Sequence, residues 1–146
     1  MPVVLALVLV GCGPLTAPDP SPSSSTSTAP TPTAPPALVP EGSAQDNAPL
    51  FSAVVAEVWA TDARAEGRAY VDALVAAGFD KTRMQLTPDR TTVDNPVESL
   101  QFSVAWGDAE CLIGQVGPST GEPVVAVVDQ LAQGRCLVGN TRPIDW

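Results

Sequence analysis

The chain has 146 residues, with 16 acidic and 7 basic side chains, no histidine and a net charge of −9 at pH 7. Phosphate binding needs clustered Lys and Arg, so the balance argues against nucleic acid and against electrostatic attraction to anionic lipid. The lack of histidine excludes Ser-His and Cys-His catalysis and any histidine metal site.

From Val3 to Val10 every residue is Val, Leu or Ala, and Gly11-Cys12-Gly13-Pro14 breaks the run. A membrane-spanning helix needs about 20 apolar residues, so this run suits the apolar region of a signal peptide, with small Gly11 at the cleavage point. The sequence Leu9-Val10-Gly11-Cys12 resembles the lipobox of bacterial lipoproteins. That resemblance implies that residues 1–11 are removed and that Cys12 carries diacylglycerol as the first mature residue. The partner it implies is a membrane, held through acyl chains on the outer face of the cell. Met1-Pro2-Val3 has no Lys or Arg where export signals open with positive charge, which points to a start other than Met1.

Residues 12–45 are expected to form a tether. From Gly13 to Ser43 the chain is mostly Pro, Ser, Thr and Ala, with Asp19 and Glu41 its only charges. Such a stretch buries too little apolar area to offset the entropy of ordering it, and its prolines favour extended backbone. Fully extended, it reaches roughly 90 Å.

Residues 46–146 are expected to fold as one domain. Asn47 and Pro49 suggest a helix start, and Phe51, Val54, Val55 and Val58 then recur with helical spacing, with Trp59 widening the stripe. Tyr70, Val71, Leu74 and Val75 share a face of a second helix, with Arg68 and Asp72 paired four apart on the other side. Gly78 suits the left-handed position after that helix, and Phe79 folds back onto Leu74. The period then changes to two. Met84 and Leu86 alternate with Gln85 and Thr87, and Pro88-Asp89 turns the chain. Leu100, Phe102, Val104 and Trp106 form a half-buried strand, and a third begins near Glu110 after the Gly107-Asp108 turn.

Between the similar segments Cys111-Leu112-Ile113-Gly114-Gln115 and Cys136-Leu137-Val138-Gly139-Asn140, the residues Val124, Val127, Val128 and Leu131 keep helical spacing. A helix from Pro123 to Gly134 is expected there, with a strand as the alternative because valine lowers helix propensity. Strand, crossover helix and strand would make the two Cys segments parallel neighbours. The expected fold is α+β: helices on one face of a mostly antiparallel four-stranded sheet, in the order α-α-β-β-β-α-β. The row Gln101, Ser103, Ala105 is left to face solvent or a partner. With Cys12 acylated, Cys111 and Cys136 remain to form one disulfide in an oxidising compartment. Closing that loop is worth about 3.5 kcal/mol in the chain-entropy model.

The segments Gly67-Arg68-Ala69-Tyr70-Val71-Asp72-Ala73-Leu74, Gln101-Phe102-Ser103-Val104, Cys111-Leu112-Ile113-Gly114-Gln115 and Thr141-Arg142-Pro143-Ile144-Asp145-Trp146 resemble an uncharacterised family of actinobacterial lipoproteins. The resemblance covers essentially the whole domain and implies an envelope location, but no chemistry.

Carboxylates are the remaining reactive groups. Asp89, Asp94 and Glu98 share one loop, and Asp108 and Glu110 flank another. Paired acids about 5–9.5 Å apart can hydrolyse glycosides, and clustered acids can bind calcium, although the EF-hand spacing is absent. Solvated turns are the ordinary role for such acids. At the far end, Ile144 and Trp146 are expected to dock on the core, while Arg142, Asp145 and Trp146 could form a recognition patch. No catalytic residue, cofactor or metal is expected. The expectation is a lipid-anchored envelope module that binds a protein or wall component, with a small carboxylate hydrolase of wall polymer as the alternative.

Overall fold

The computed structural model describes residues 34–146, so the expected signal peptide, Cys12 and most of the expected tether lie outside the described residues. The first element, α1 (Ala44–Trp59), starts earlier than Asn47 because Ser43 and Asp46 cap it reciprocally. Ser43 Oγ accepts from the Asp46 amide, and an Asp46 carboxylate oxygen accepts from the Ser43 amide at 2.8 Å. Asn47 is occupied elsewhere. Its side chain is fully buried and holds Val39 at both backbone groups, which fixes Leu38 and Val39 against the domain, within the stretch expected to be tether. Pro49 therefore lies inside the helix.

A single 3-10 turn, Asp62–Ala65, leads into α2 (Gly67–Ala76). Tyr70, Val71 and Leu74 are buried, while Val75 at the edge of the expected face is exposed. The Gly78 amide donates to Val75 O and the Phe79 amide to Leu74 O, both at 3.0 Å, with Gly78 at φ 102°. This closes the helix as its glycine predicts. Arg68 and Asp72 pair at 3.2 Å on the exposed side.

The sheet is β1 (Met84–Leu86), β2 (Leu100–Trp106), β3 (Glu110–Val116) and β4 (Val124–Asp129), antiparallel throughout and ordered β1-β2-β3-β4. The fold is α+β, with both helices before the strands and one disulfide. Leu86, Leu100, Phe102, Val104, Leu112 and Val116 share a core with Phe51, Val55, Tyr70 and Leu74 of the helices. Tyr70 stacks on Phe102 at 4.5 Å, and Phe51 lies 6.0 Å beyond it. Gly114 makes room for this stack: a Cβ there would lie 2.2 Å from the Phe102 ring.

Two expectations for the last third are corrected. The stretch Val124–Asp129 is a strand, pairing with β3 from Val124↔Gln115 to Asp129↔Glu110. Its valines fit helical spacing and strand alternation equally well, and β-branching together with the otherwise open edge of β3 decides for the strand. The segment Cys136–Asn140 is not a strand and does not pair in parallel with β3. Cys136 is nonetheless bonded to Cys111, with the Cα atoms 5.7 Å apart. The tail crosses the sheet face that looks away from the helices. There it packs with Ala105 and Ile113 and leaves Ser103 only 1% exposed. The Gln101, Ser103, Ala105 row is thus covered mainly by the protein's own chain. The tail then reaches the outer side of β1, where the Arg142 amide donates to Leu86 O at 2.8 Å.

Candidate functional site

The loop that joins β1 to β2 is tied to three other parts of the domain, and the ties leave an apolar cleft between them. Asp89 is the centre of the ties. Its carboxylate accepts from Arg142 Nη2 at 3.1 Å and from the Gly67 amide at 3.3 Å. A carboxylate at the start of α2 meets the unpaired amides and positive end of the helix. Gly67 suits the closeness of this contact, because a Cβ would lie 2.6 Å from both Asp89 Oδ1 and Leu86 Cδ1 and would push these side-chain ends aside. The neighbouring turn after β3 is packed as tightly. A Cβ on Gly117 would lie 2.4 Å from Glu98 O, and Ser119 Oγ donates to that same carbonyl at 2.7 Å.

The cleft these loops enclose has a volume of about 390 Å³. Trp59 at the end of α1, Val97, Leu100 and Val116 supply its apolar walls, with Arg64 and Asp89 as polar groups. The Arg64 guanidinium lies 5.7 Å from the centre of the Trp59 ring, a cation–π distance. Arg64 is also tied by its backbone, since its carbonyl accepts from the Tyr70 hydroxyl at 2.8 Å. Burial pushes the Tyr70 phenol up to about 12, so it remains a neutral donor across the ordinary pH range. A cleft with apolar walls and a few fixed polar groups can take an apolar group that ends in an acid or a carbonyl.

The acids singled out from the sequence are dispersed. Asp89 is committed to Arg142 and Gly67. Asp94 sits at the loop tip with a positive φ of 62° and pairs with Arg90 at 3.5 Å. Glu98 is exposed. Near the other turn, Glu110 Oε2 accepts from the Ala44 amide at 3.1 Å at the start of α1, while Asp108 faces solvent. Among the described residues, no group of three potential ligands gathers as a metal site would.

The tail residues are engaged internally, except one. Trp146 packs on the core with Ile144, and its indole lies within 5.0–5.2 Å of Arg68, Lys81 and Arg142. Its Nε1 donates to Asp72 at 2.8 Å, which is the main reason the Asp72 carboxyl lies below the usual range. Asp145 faces solvent. Arg142 therefore bridges the two regions, meeting Asp89 at the cleft and Trp146 at the end of the tail. Sequence reasoning named Asp89 and Arg142 but missed Trp59, Arg64, Val97 and Val116. These come from separate elements, and no spacing in the chain links them.

A family model described as a domain of unknown function (DUF6993) matches residues 55–140. The match runs from the middle of α1 through the cleft, the sheet and the disulfide. No curated protein and no solved structure matches the chain.

Proposed function

The chain belongs to the family of the domain of unknown function (DUF6993), and on that footing we propose that it is a non-catalytic binding module. It is carried on a Pro-rich spacer and anchored through acyl chains on Cys12 to the outer face of a membrane. Its ligand is an apolar group with an acidic or carbonyl end, belonging to an envelope protein or a wall component. The observation that carries this reading is the cleft beside Trp59, where apolar walls meet Arg64 while the one acid, Asp89, is held by Arg142 and the Gly67 amide. An acid so occupied is poorly placed to shuttle protons, which weighs against the hydrolase alternative. Arg142 supports the cleft from behind, and Asp145 is the part of the proposed tail patch free to meet a partner.

Binding of anilinonaphthalene sulfonate, an apolar anion, tests the cleft. The purified chain is expected to bind one equivalent, quenching Trp59 fluorescence. Ala65→Trp fills the cleft from an exposed position and is expected to weaken binding at least tenfold. No saturable binding, or binding unchanged by Ala65→Trp, overturns the assignment. Release of sugar or peptide fragments from wall polymer by the same preparation would replace it with the hydrolase.

A further inference from the structure

The sheet has two edges, and they are treated differently. At β1 the tail supplies a donor to Leu86 O, and Gln85 Oε1 accepts from the amides of Cys136 at 2.6 Å and Leu137 at 3.2 Å. At β4 nothing comparable occurs among the described residues. The Gln130 amide donates to Ala109 O at 2.7 Å, which continues the β3–β4 register. In an antiparallel ladder the groups facing the partner alternate along the strand. Val124, Ala126 and Val128 therefore bond toward β3. The N–H and C=O groups of Val125, Val127 and Asp129 point to the open edge, and no hydrogen bond from another described residue meets them.

Open edges are normally blunted by charge, proline or a bulge. Here Pro123 and Asp129 stand only at the two ends, and the five residues between them carry no charge. Those residues are Val124-Val125-Ala126-Val127-Val128, which is the same in both directions. A strand that is its own reverse is suited to pair antiparallel with a second copy, because every position then meets its equal in size. With the dyad at Ala126, Val125 faces Val127 of the other copy as a hydrogen-bonded pair, and the symmetry repeats this to give four ladder bonds. Val124 faces Val128 on the side away from the helices. Val124 is 52% and Val128 39% exposed in the single chain, so their contact across the dyad covers apolar area that otherwise meets water. Asp129 falls opposite Pro123, which places no like charge across the ladder.

We propose that β4 is a self-pairing edge, through which two copies of this chain join antiparallel about Ala126 into one continuous eight-stranded sheet. The arrangement is isologous and closed, so it stops at two copies. Its occupant is a second copy rather than a foreign strand because the palindrome satisfies both sides at once. A foreign strand would need only one.

Two measurements on the purified full chain carrying Cys12→Ser test this. Sedimentation at protein concentrations up to about 100 µM is expected to show a monomer–dimer equilibrium. Val127→Pro removes an outward donor that β3 does not use, so the fold is kept while the dimer is expected to weaken at least tenfold. Ala126→Lys, at an exposed position, sets two like charges on the dyad and is expected to do the same. The second measurement is oxidative crosslinking. A dyad at Ala126 brings the two Cα atoms to about 4.5 Å, within disulfide reach. Ala126→Cys should thus form a covalent dimer much faster than Val138→Cys, although Val138 is the more exposed at 81%. A monomer at all concentrations, a dimer indifferent to both β4 substitutions, or equal crosslinking at 126 and 138 overturns the proposal. A monomer whose β4 amides become protected only with an added valine-rich peptide would likewise overturn it, assigning the edge to a foreign strand.

Discussion

Four positions carry more than their size suggests. At Gly114 the missing Cβ is the space in which the Phe102 ring lies, so Gly114→Ala forces the Tyr70–Phe102 stack apart. Overpacking of this kind typically costs about 1–3 kcal/mol, and a fall of that size in urea-unfolding stability is expected. Ser103 is the opposite case. Its hydroxyl is buried beneath the tail with no hydrogen-bond partner among the described residues. An orphaned buried polar group costs about 1–3 kcal/mol, so Ser103→Ala should leave stability unchanged or raise it. A clear loss on that substitution would show that the hydroxyl is satisfied. Asp72 and Tyr70 contribute to opposite limbs of the pH dependence, Asp72 beside the similarly lowered Asp46 and Asp80. The Asp72 carboxyl is lowered chiefly by the Trp146 indole N–H, so its contribution is present above the ordinary value of 3.8 and is lost as pH falls below it. Tyr70 is raised by burial, so its contribution is present below 10.0 and is lost as pH rises toward about 12. Trp146→Phe should reduce the slope of the acid limb of a stability–pH profile, the share of Asp46 and Asp80 remaining, and Tyr70→Phe should reduce the alkaline limb, each leaving the other limb in place.

Among the elements, those that follow from local chemistry were legible. The glycine after α2, the alternation of β2 and the i,i+4 pair of Arg68 and Asp72 stand where the sequence places them. β4 stood only as the alternative to a helix, because four valines about one alanine satisfy both periods and only the vacancy beside β3 resolves it. Ile144 and Trp146 dock on the core as expected, but the path of the tail before them was not legible, because its partners are a side-chain amide on β1 and a backbone carbonyl 56 positions earlier, from Arg142 to Leu86. Local pattern holds no record of such contacts. The cleft was illegible for the same reason: Trp59, Arg64, Val97 and Val116 have nothing in common until the chain has folded. Cysteine arithmetic found the bond between Cys111 and Cys136, although the parallel strands once expected to bring them together do not exist. Replacing both by serine removes the fixed point that holds the tail across β2 and β3. The expected loss is about 3.5 kcal/mol, with faster hydrogen exchange at β1 than at β3.

For the whole molecule, the acidic balance and the lack of histidine narrowed the chemistry before any element was placed, and placement in the cell turns on Cys12. Metabolic labelling with a lipid precursor should mark the wild type and leave Cys12→Ser unlabelled, with that variant released into the soluble fraction. Equal labelling would remove the anchor and, with it, the role given to the spacer. The closure of β1 by residues 136–142 also has a consequence in time. These residues follow all four strands in the chain, so a polypeptide emerging from its N-terminus completes its sheet while one border still lacks its cover. Until the last segment arrives and the two sulfurs join, the nascent molecule exposes both borders, and it is then most prone to clump with its neighbours. Refolding of the purified chain should accordingly scatter more light when its thiols are kept reduced than when Cys111 and Cys136 are free to join.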